Sequence, residues 1–259
     1  MAMAELDKPK IHYELTGPSC LPVLVLSNSL GANLGMWEPQ ISALGSRFRL
    51  LRYDTRGHGD SSVPPGPYTV EDLGRDVLGL LDFLKIDQAS FCGISMGGCT
   101  GQWLGANAPS RIHKLVLANT AAKIGVAEVW NTRIDTVLRE GLNSIVSGTM
   151  ERWFTEDFHR GHPETVAAIA STLLSTNLQG YVACCAAVRD ADFRAVLGNI
   201  SVRTLVIAGS QDVVTPSKDA QFLAENIASA RFVELPAAHL SNVEASAAFN
   251  SALIDFLQT

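Results

Sequence analysis

Short apolar runs alternate along the chain with longer stretches in which apolar residues recur about every three to four positions, the two periodicities of strand and helix. Leu21 to Leu26 is one such run, and it ends at Ser27-Asn28-Ser29-Leu30-Gly31, a strand feeding a tight loop. Arg49 to Tyr53 reads as a second strand, closed by the turn Asp54 to Gly59. From Thr69 to Leu84, the residues Val70, Leu73, Val77, Leu80, Leu81 and Leu84 share one helical face, and Thr69 with Asp72 forms an N-terminal capping signature. Ala89 to Cys92, Lys114 to Ala118, Arg203 to Ala208 and Arg231 to Leu235 read as further strands. Helices are expected at Met96 to Ala108, Pro216 to Asn226 and Val243 to Leu257, and an antiparallel edge strand at Ile11 to Leu15. Strand and helix taking turns predict an α/β fold, a mostly parallel central sheet with helices on both faces.

Between residues 123 and 198 the rhythm breaks, leaving helical periodicity without a convincing strand. The pattern predicts a helical cap insertion, 123–198, that divides a core made of 1–122 and 199–259. Such an insertion covers the carboxyl end of the sheet, where open α/β folds place their sites. A chain of 259 residues with 47% hydrophobic and 18% charged residues buries a large core without metal or disulfide staples. Its net charge of −6 and the lack of a Lys/Arg run argue against a nucleic-acid partner. An anionic ligand would need a local cation here, because the long-range field does not attract it. Cys20, Cys92, Cys99, Cys184 and Cys185 are odd in number and lack C-x-x-C spacing, so reduced thiols in a cytoplasmic protein are expected. Met1 to Lys10 carry no apolar segment of a secretory signal, and no stretch reads as a membrane span. Oligomeric state is not legible.

Gly93-Ile94-Ser95-Met96-Gly97 matches G-x-S-x-G between an expected strand and an expected helix. A serine on so sharp a turn has a strained backbone that only small flanking residues permit, and the helix that follows aims its amino end at developing negative charge. Ser95 is therefore the candidate nucleophile. It needs a base and an orienting acid. Of the six histidines, His239 follows the Arg231 to Leu235 strand and precedes the last helix, whereas His12, His58, His113, His159 and His162 read as solvated or structural. Asp212 follows the Arg203 to Ala208 strand directly; the rival position after Lys114 to Ala118 holds Asn119, and Asp54 sits in a Gly-rich turn. The chain order Ser95, Asp212, His239 is that of α/β-hydrolases. Met96 N–H, next to the nucleophile, and Leu30 N–H, in the loop after the Leu21 to Leu26 strand, are the candidate oxyanion donors.

On these residues the chain resembles the α/β-hydrolase superfamily over its whole length. Within it the chain is similar to the 3-oxoadipate enol-lactonases of bacterial aromatic catabolism. The similarity runs through Leu26 to Gly31, Leu51 to Gly59, Asp72 to Val77, Phe91 to Gly98, Trp130 to Ile134, Gly180 to Asp190 and Ala237 to Asn242. The two segments in the insertion carry most of the subfamily weight. Many relatives have His-Gly where this chain has Asn28-Ser29. The resemblance implies opening of an anionic enol-lactone ring to give 3-oxoadipate, with no metal or cofactor. It also implies a cation for the substrate carboxylate: Arg133 first, with Trp130 walling the pocket, and Arg189 second. Rival expectations are a carboxylesterase, a cofactor-free perhydrolase or a C–C hydrolase on the same triad. A binding protein of this fold usually has a broken triad, and here the set is complete.

Overall fold

The apolar runs form an eight-stranded sheet: β1 (Ala2–Glu5), β2 (Lys10–Thr16), β3 (Val23–Ser27), β4 (Arg49–Tyr53), β5 (Ala89–Ile94), β6 (Ile112–Ala118), β7 (Thr204–Gly209) and β8 (Arg231–Leu235). The structure, a computed structural model, describes residues 2–6, 9–228 and 230–259. Spatial order is β1-β2-β4-β3-β5-β6-β7-β8, with β1, β2 and β4 antiparallel in turn and every later pairing parallel. Every residue of β5 and β7 is buried, as expected of parallel strands covered on both faces.

Around the sheet lie α1 (Glu38–Leu44), α2 (Val70–Phe83), α3 (Met96–Asn107), α9 (Ser217–Asn226), α10 (Ser241–Glu244) and α11 (Ser246–Leu257). Between β6 and β7 the chain forms α4 (Ala127–Glu140), α5 (Asn143–Trp153), α6 (Glu156–Gly161), α7 (Pro163–Ser175) and α8 (Leu178–Asp190). Helix α2 begins where the sequence places it: Thr69 and Asp72 form a reciprocal capping box. No helix of the described residues is long and apolar enough to cross a membrane.

Three elements depart from the expectations. The Ile11 to Leu15 strand is not the edge, because β1 pairs outside it from Ala2↔Tyr13 to Glu5↔Lys10. Ala-Met-Ala-Glu has little strand propensity of its own, and the ladder with β2 supplies the order. Helix α1 goes unpredicted; its seven residues are too short for a periodicity to declare itself. The expected Val243 to Leu257 helix is two helices broken at Ala245, whose φ of −112° and ψ of 44° are not helical. Side-chain tethers fix α10: Ser241 Oγ donates to Asn119 Oδ1 at 2.5 Å, and Asn242 Nδ2 to the Met36 carbonyl at 2.9 Å. The chain must then turn to bury Phe249, Leu253 and Phe256 against the core.

Candidate active site

From β3 the chain passes to β4 on one side, whereas β5 pairs on the other, so the carboxyl ends of β3 and β5 flank a topological switch point. Ser95 stands there, between β5 and α3, with φ 57° and ψ −114°. That left-handed backbone is strained for a serine and persists because the surroundings over-determine it. Its N–H donates to the Ala118 carbonyl at 3.1 Å, and its own carbonyl accepts from Thr120 Oγ1 at 2.9 Å. A Cβ on Gly97 would lie 2.3 Å from the Ser27 carbonyl oxygen, which explains the glycine. Ser95 itself is 7% exposed.

The loop after β3 is held from beneath. Asn28 donates from Nδ2 to the Tyr53 carbonyl at 2.8 Å and accepts from Trp37 Nε1 at 2.9 Å, so both ends of the carboxamide hold the loop. The Gly31 N–H donates to His58 Nε2 at 2.9 Å, which puts the ring proton on Nδ1, facing the Arg56 carbonyl at 3.4 Å. Burial pushes the His58 imidazole down to about 4, so it stays neutral and keeps accepting. Among the described residues neither Leu30 nor Met96 donates its N–H to a partner. Met96 is the first residue of α3, where helical N–H groups have no intrahelical acceptor.

His239 and Asp212 meet across 27 residues, Nδ1 to Oδ2 at 2.8 Å, both buried. The Asp212 carboxylate also accepts Val214 N–H at 2.8 Å, Thr215 N–H at 3.0 Å, Thr215 Oγ1 at 2.8 Å and Asn119 Nδ2 at 3.0 Å. Burial alone would raise its pKa; the His239 ring and these donors outweigh it and hold the carboxyl down at about 2. Asn119, the residue that displaces an acid from the end of β6, thus clamps the acid at the end of β7. Its φ of 43° and its second bond, to the Ala238 carbonyl at 3.1 Å, aim it there. No hydrogen bond joins Ser95 Oγ to His239 among the described residues.

The helices between β6 and β7 reach the same site. The Trp153 ring lies 6.4 Å from the His239 ring at 33°, and Leu240 N–H donates to the Trp153 carbonyl at 3.1 Å. Tyr181 packs on the Leu30-Gly31 turn: a Cβ on Gly31 would lie 3.2 Å from Tyr181 Cε2. Arg133 donates from Nε to Tyr181 Oη at 2.7 Å and from Nη2 to Thr149 Oγ1 at 3.0 Å, and among the described residues it has no acidic partner within ion-pair distance. Trp130 is half-buried and donates Nε1–H to the Ile124 carbonyl at 2.7 Å. Arg189 is placed differently. Its guanidinium grips Asp190 at 2.7 and 2.8 Å and Asn131 at 2.9 Å, on a groove of about 640 Å³ between residues 63–67 and α8. Trp153 and Thr149 carry no sequence signal of their own, since each is brought in by a long-range contact, whereas Tyr181 lies in the Gly180 to Asp190 segment and Thr215 bonds Asp212 three residues before it.

Among the described residues one trio could approach a metal ion, His12, Asp54 and Asp60. There His12 Nδ1 lies 2.6 Å from Asp54 Oδ2, and Asp54 also accepts the Leu34 and Asp60 N–H groups. The trio is a lock on the turn after β4.

Comparison with known proteins agrees with the geometry. The chain is 47% identical over 243 residues to 3-oxoadipate enol-lactonase 2 of Acinetobacter baylyi, covering 94% of this chain and 91% of that one. The crystal structure of the enol-lactonase from Burkholderia xenovorans LB400 superposes with a TM-score of 0.98 at 45% identity, covering all of both chains. A thermophilic esterase from Thermogutta terrifontis superposes at 0.92 with 28% identity, over 99% of this chain and 97% of that one. Residues 22–246 match the sequence profile described as alpha/beta hydrolase fold, and the chain belongs to that family.

Proposed function

We propose that the chain is a serine hydrolase that opens the lactone ring of 3-oxoadipate enol-lactone to give 3-oxoadipate, a step of the β-ketoadipate pathway. The relatives' activity supports the reaction class. Arg133 carries the choice of substrate. It is a cation with no acidic partner among the described residues, fixed by two neutral hydroxyls on the helices above the oxyanion loop, and the enol-lactone keeps one free carboxylate for it to bind. Residues 123–198 serve in this reading as the cap over a core of 1–122 and 199–259.

Ser95 Oγ attacks the lactone carbonyl while His239 Nε2 takes its proton. Asp212 stays ionised, holds Nδ1–H and stabilises the imidazolium. The Leu30 and Met96 N–H groups receive the oxyanion. Collapse of the tetrahedral intermediate breaks the ring C–O bond; the enolate oxygen takes the proton from His239, and the enol tautomerises to the ketone. Water, losing a proton to His239, then attacks the acyl-serine, and that proton returns to Ser95 as the product carboxylate leaves. Side chains and water suffice for each step. Four buried thiols, Cys92, Cys99, Cys184 and Cys185, left unpaired, support a reducing compartment, the cytoplasm.

The test compares wild type with Arg133→Ala on the enol-lactone and on neutral p-nitrophenyl acetate. The KM for the lactone rises by about tenfold or more, as expected for a charge-assisted contact, and that for the ester stays within about twofold. An equal effect on both removes Arg133 from the site. A wild type that prefers the neutral ester makes the chain a carboxylesterase instead.

A further inference from the structure

His239 hangs on a short loop between β8 and α10, and the residues on either side of it are tied to the helices above the sheet. Leu240 N–H donates to the Trp153 carbonyl at 3.1 Å. Ala238 N–H donates to Glu244 Oε2 at 2.8 Å. The other oxygen of that carboxylate, Oε1, accepts the Thr155 N–H at 3.2 Å and the Thr155 hydroxyl. Thr155 caps the amino end of α6, its own Oγ1 accepting from Phe158 N–H at 3.2 Å. Three donors from two distant segments therefore converge on one side chain at the end of a four-residue helix. A carboxylate has about four lone-pair sites and can accept all three donors.

From the sheet side the same loop is held by Gln211 N–H on the Ala237 carbonyl at 3.0 Å and by Asn119 Nδ2 on the Ala238 carbonyl at 3.1 Å. The peptide before His239 is thus pinned at its carbonyl by the sheet and one residue back at its N–H by Glu244.

We infer that Glu244 is a positioning residue for the base, bridging the Ala238 backbone to Thr155 of the cap and so setting where the His239 imidazole stands. The inference rests on His239 as the base of the proposed reaction. A base that takes a proton from Ser95 and delivers it to a leaving oxygen must stand correctly for both, and a displacement of about 1 Å is enough to cost rate. Glu244 itself touches neither Ser95 nor Asp212; it acts through the peptide. The cap, through the same carboxylate, holds the base as well as covering the site.

The experiment measures kcat and KM of Glu244→Ala, Glu244→Met and Glu244→Gln on p-nitrophenyl acetate and on the enol-lactone. Alongside these it records the far-downfield proton resonance of the His239 Nδ1–H shared with Asp212. Loss of the carboxylate in the Ala and Met variants lowers kcat by about tenfold or more, with KM within about twofold, and broadens or abolishes the resonance. Glu244→Gln restores part of the rate, since its amide oxygen can still accept from Ala238 while its NH₂ donates to Thr155 Oγ1 and leaves the Thr155 N–H without its acceptor. Ala or Met variants that melt earlier but keep kcat per folded molecule and the resonance would overturn the inference. So would failure of both to fold, which would assign Glu244 to stability. Wild-type turnover of the ester without turnover of the lactone would reject the proposed substrate and leave the Glu244 result standing, because the ester and the resonance report on it without the lactone.

Discussion

At the scale of single residues, the site is set by which partner each polar atom takes. His58 looks in the sequence like one more histidine in a glycine-rich turn, but its neutral ring is the acceptor that aims the peptide beside Leu30. Because burial holds its folded pKa at about 4, below the ordinary 6.5, the unfolded chain binds a proton between those values that the folded chain does not. Stability from this source is whole above 6.5 and is lost as the pH falls toward 4. In His58→Ala, urea unfolding between those limits should lose a slope worth on the order of 3 kcal/mol relative to wild type, and kcat should fall by roughly tenfold as the Leu30 donor loosens. Parallel pH profiles for the two proteins would remove His58 from this role. Asp212 and His239 are legible in the sequence because each follows a strand in a recognisable chain order. Asn119, Trp153 and Thr155 are not, because their partners lie 93 residues away in Asp212, 86 in His239 and 89 in Glu244, and nothing local marks the meeting.

At the scale of elements, signals confined to one turn of chain read well and those that depend on packing do not. The α2 start is legible because Thr69 and Asp72 satisfy each other's backbone donors within four residues. Thr69→Ala should lower the unfolding free energy by about 1 kcal/mol, measured by urea titration, with kcat unchanged because the Thr69 side chain bonds Asp72 and none of the candidate-site residues. A larger loss, or a change in kcat, would mean that the cap also supports the site. The break at Ala245 is invisible to periodicity because α10 is oriented by Ser241 and Asn242 reaching Asn119 and Met36, whereas α11 follows the apolar face of Phe249, Leu253 and Phe256. Strand β1 is invisible for the converse reason, since its order comes from β2.

At the scale of the whole molecule, an eight-stranded sheet brings the ends of β3, β5, β6 and β7 together, and five helices inserted between β6 and β7 lean on both the Leu30-Gly31 turn and His239. That arrangement gives a net charge of −6 a consequence: the anionic ring proposed as substrate would need a local cation, and among the described residues Arg133 has no carboxylate partner, with Arg152 of α5, equally without one, close enough to feel its charge. The alternation of strand and helix makes the sheet readable from sequence, and the ranking of Arg133 before Arg189 is readable there too; what the structure adds is that Arg189 is paired with Asp190. The central claim is that Ser95 opens the lactone. Its most direct test is a spectrophotometric assay of enzymatically generated 3-oxoadipate enol-lactone with wild type and Ser95→Ala at matched concentrations of folded protein. The account predicts rapid loss of the lactone with wild type and a kcat lower by on the order of 10⁴ or more in the variant; retention of wild-type turnover by Ser95→Ala would contradict it.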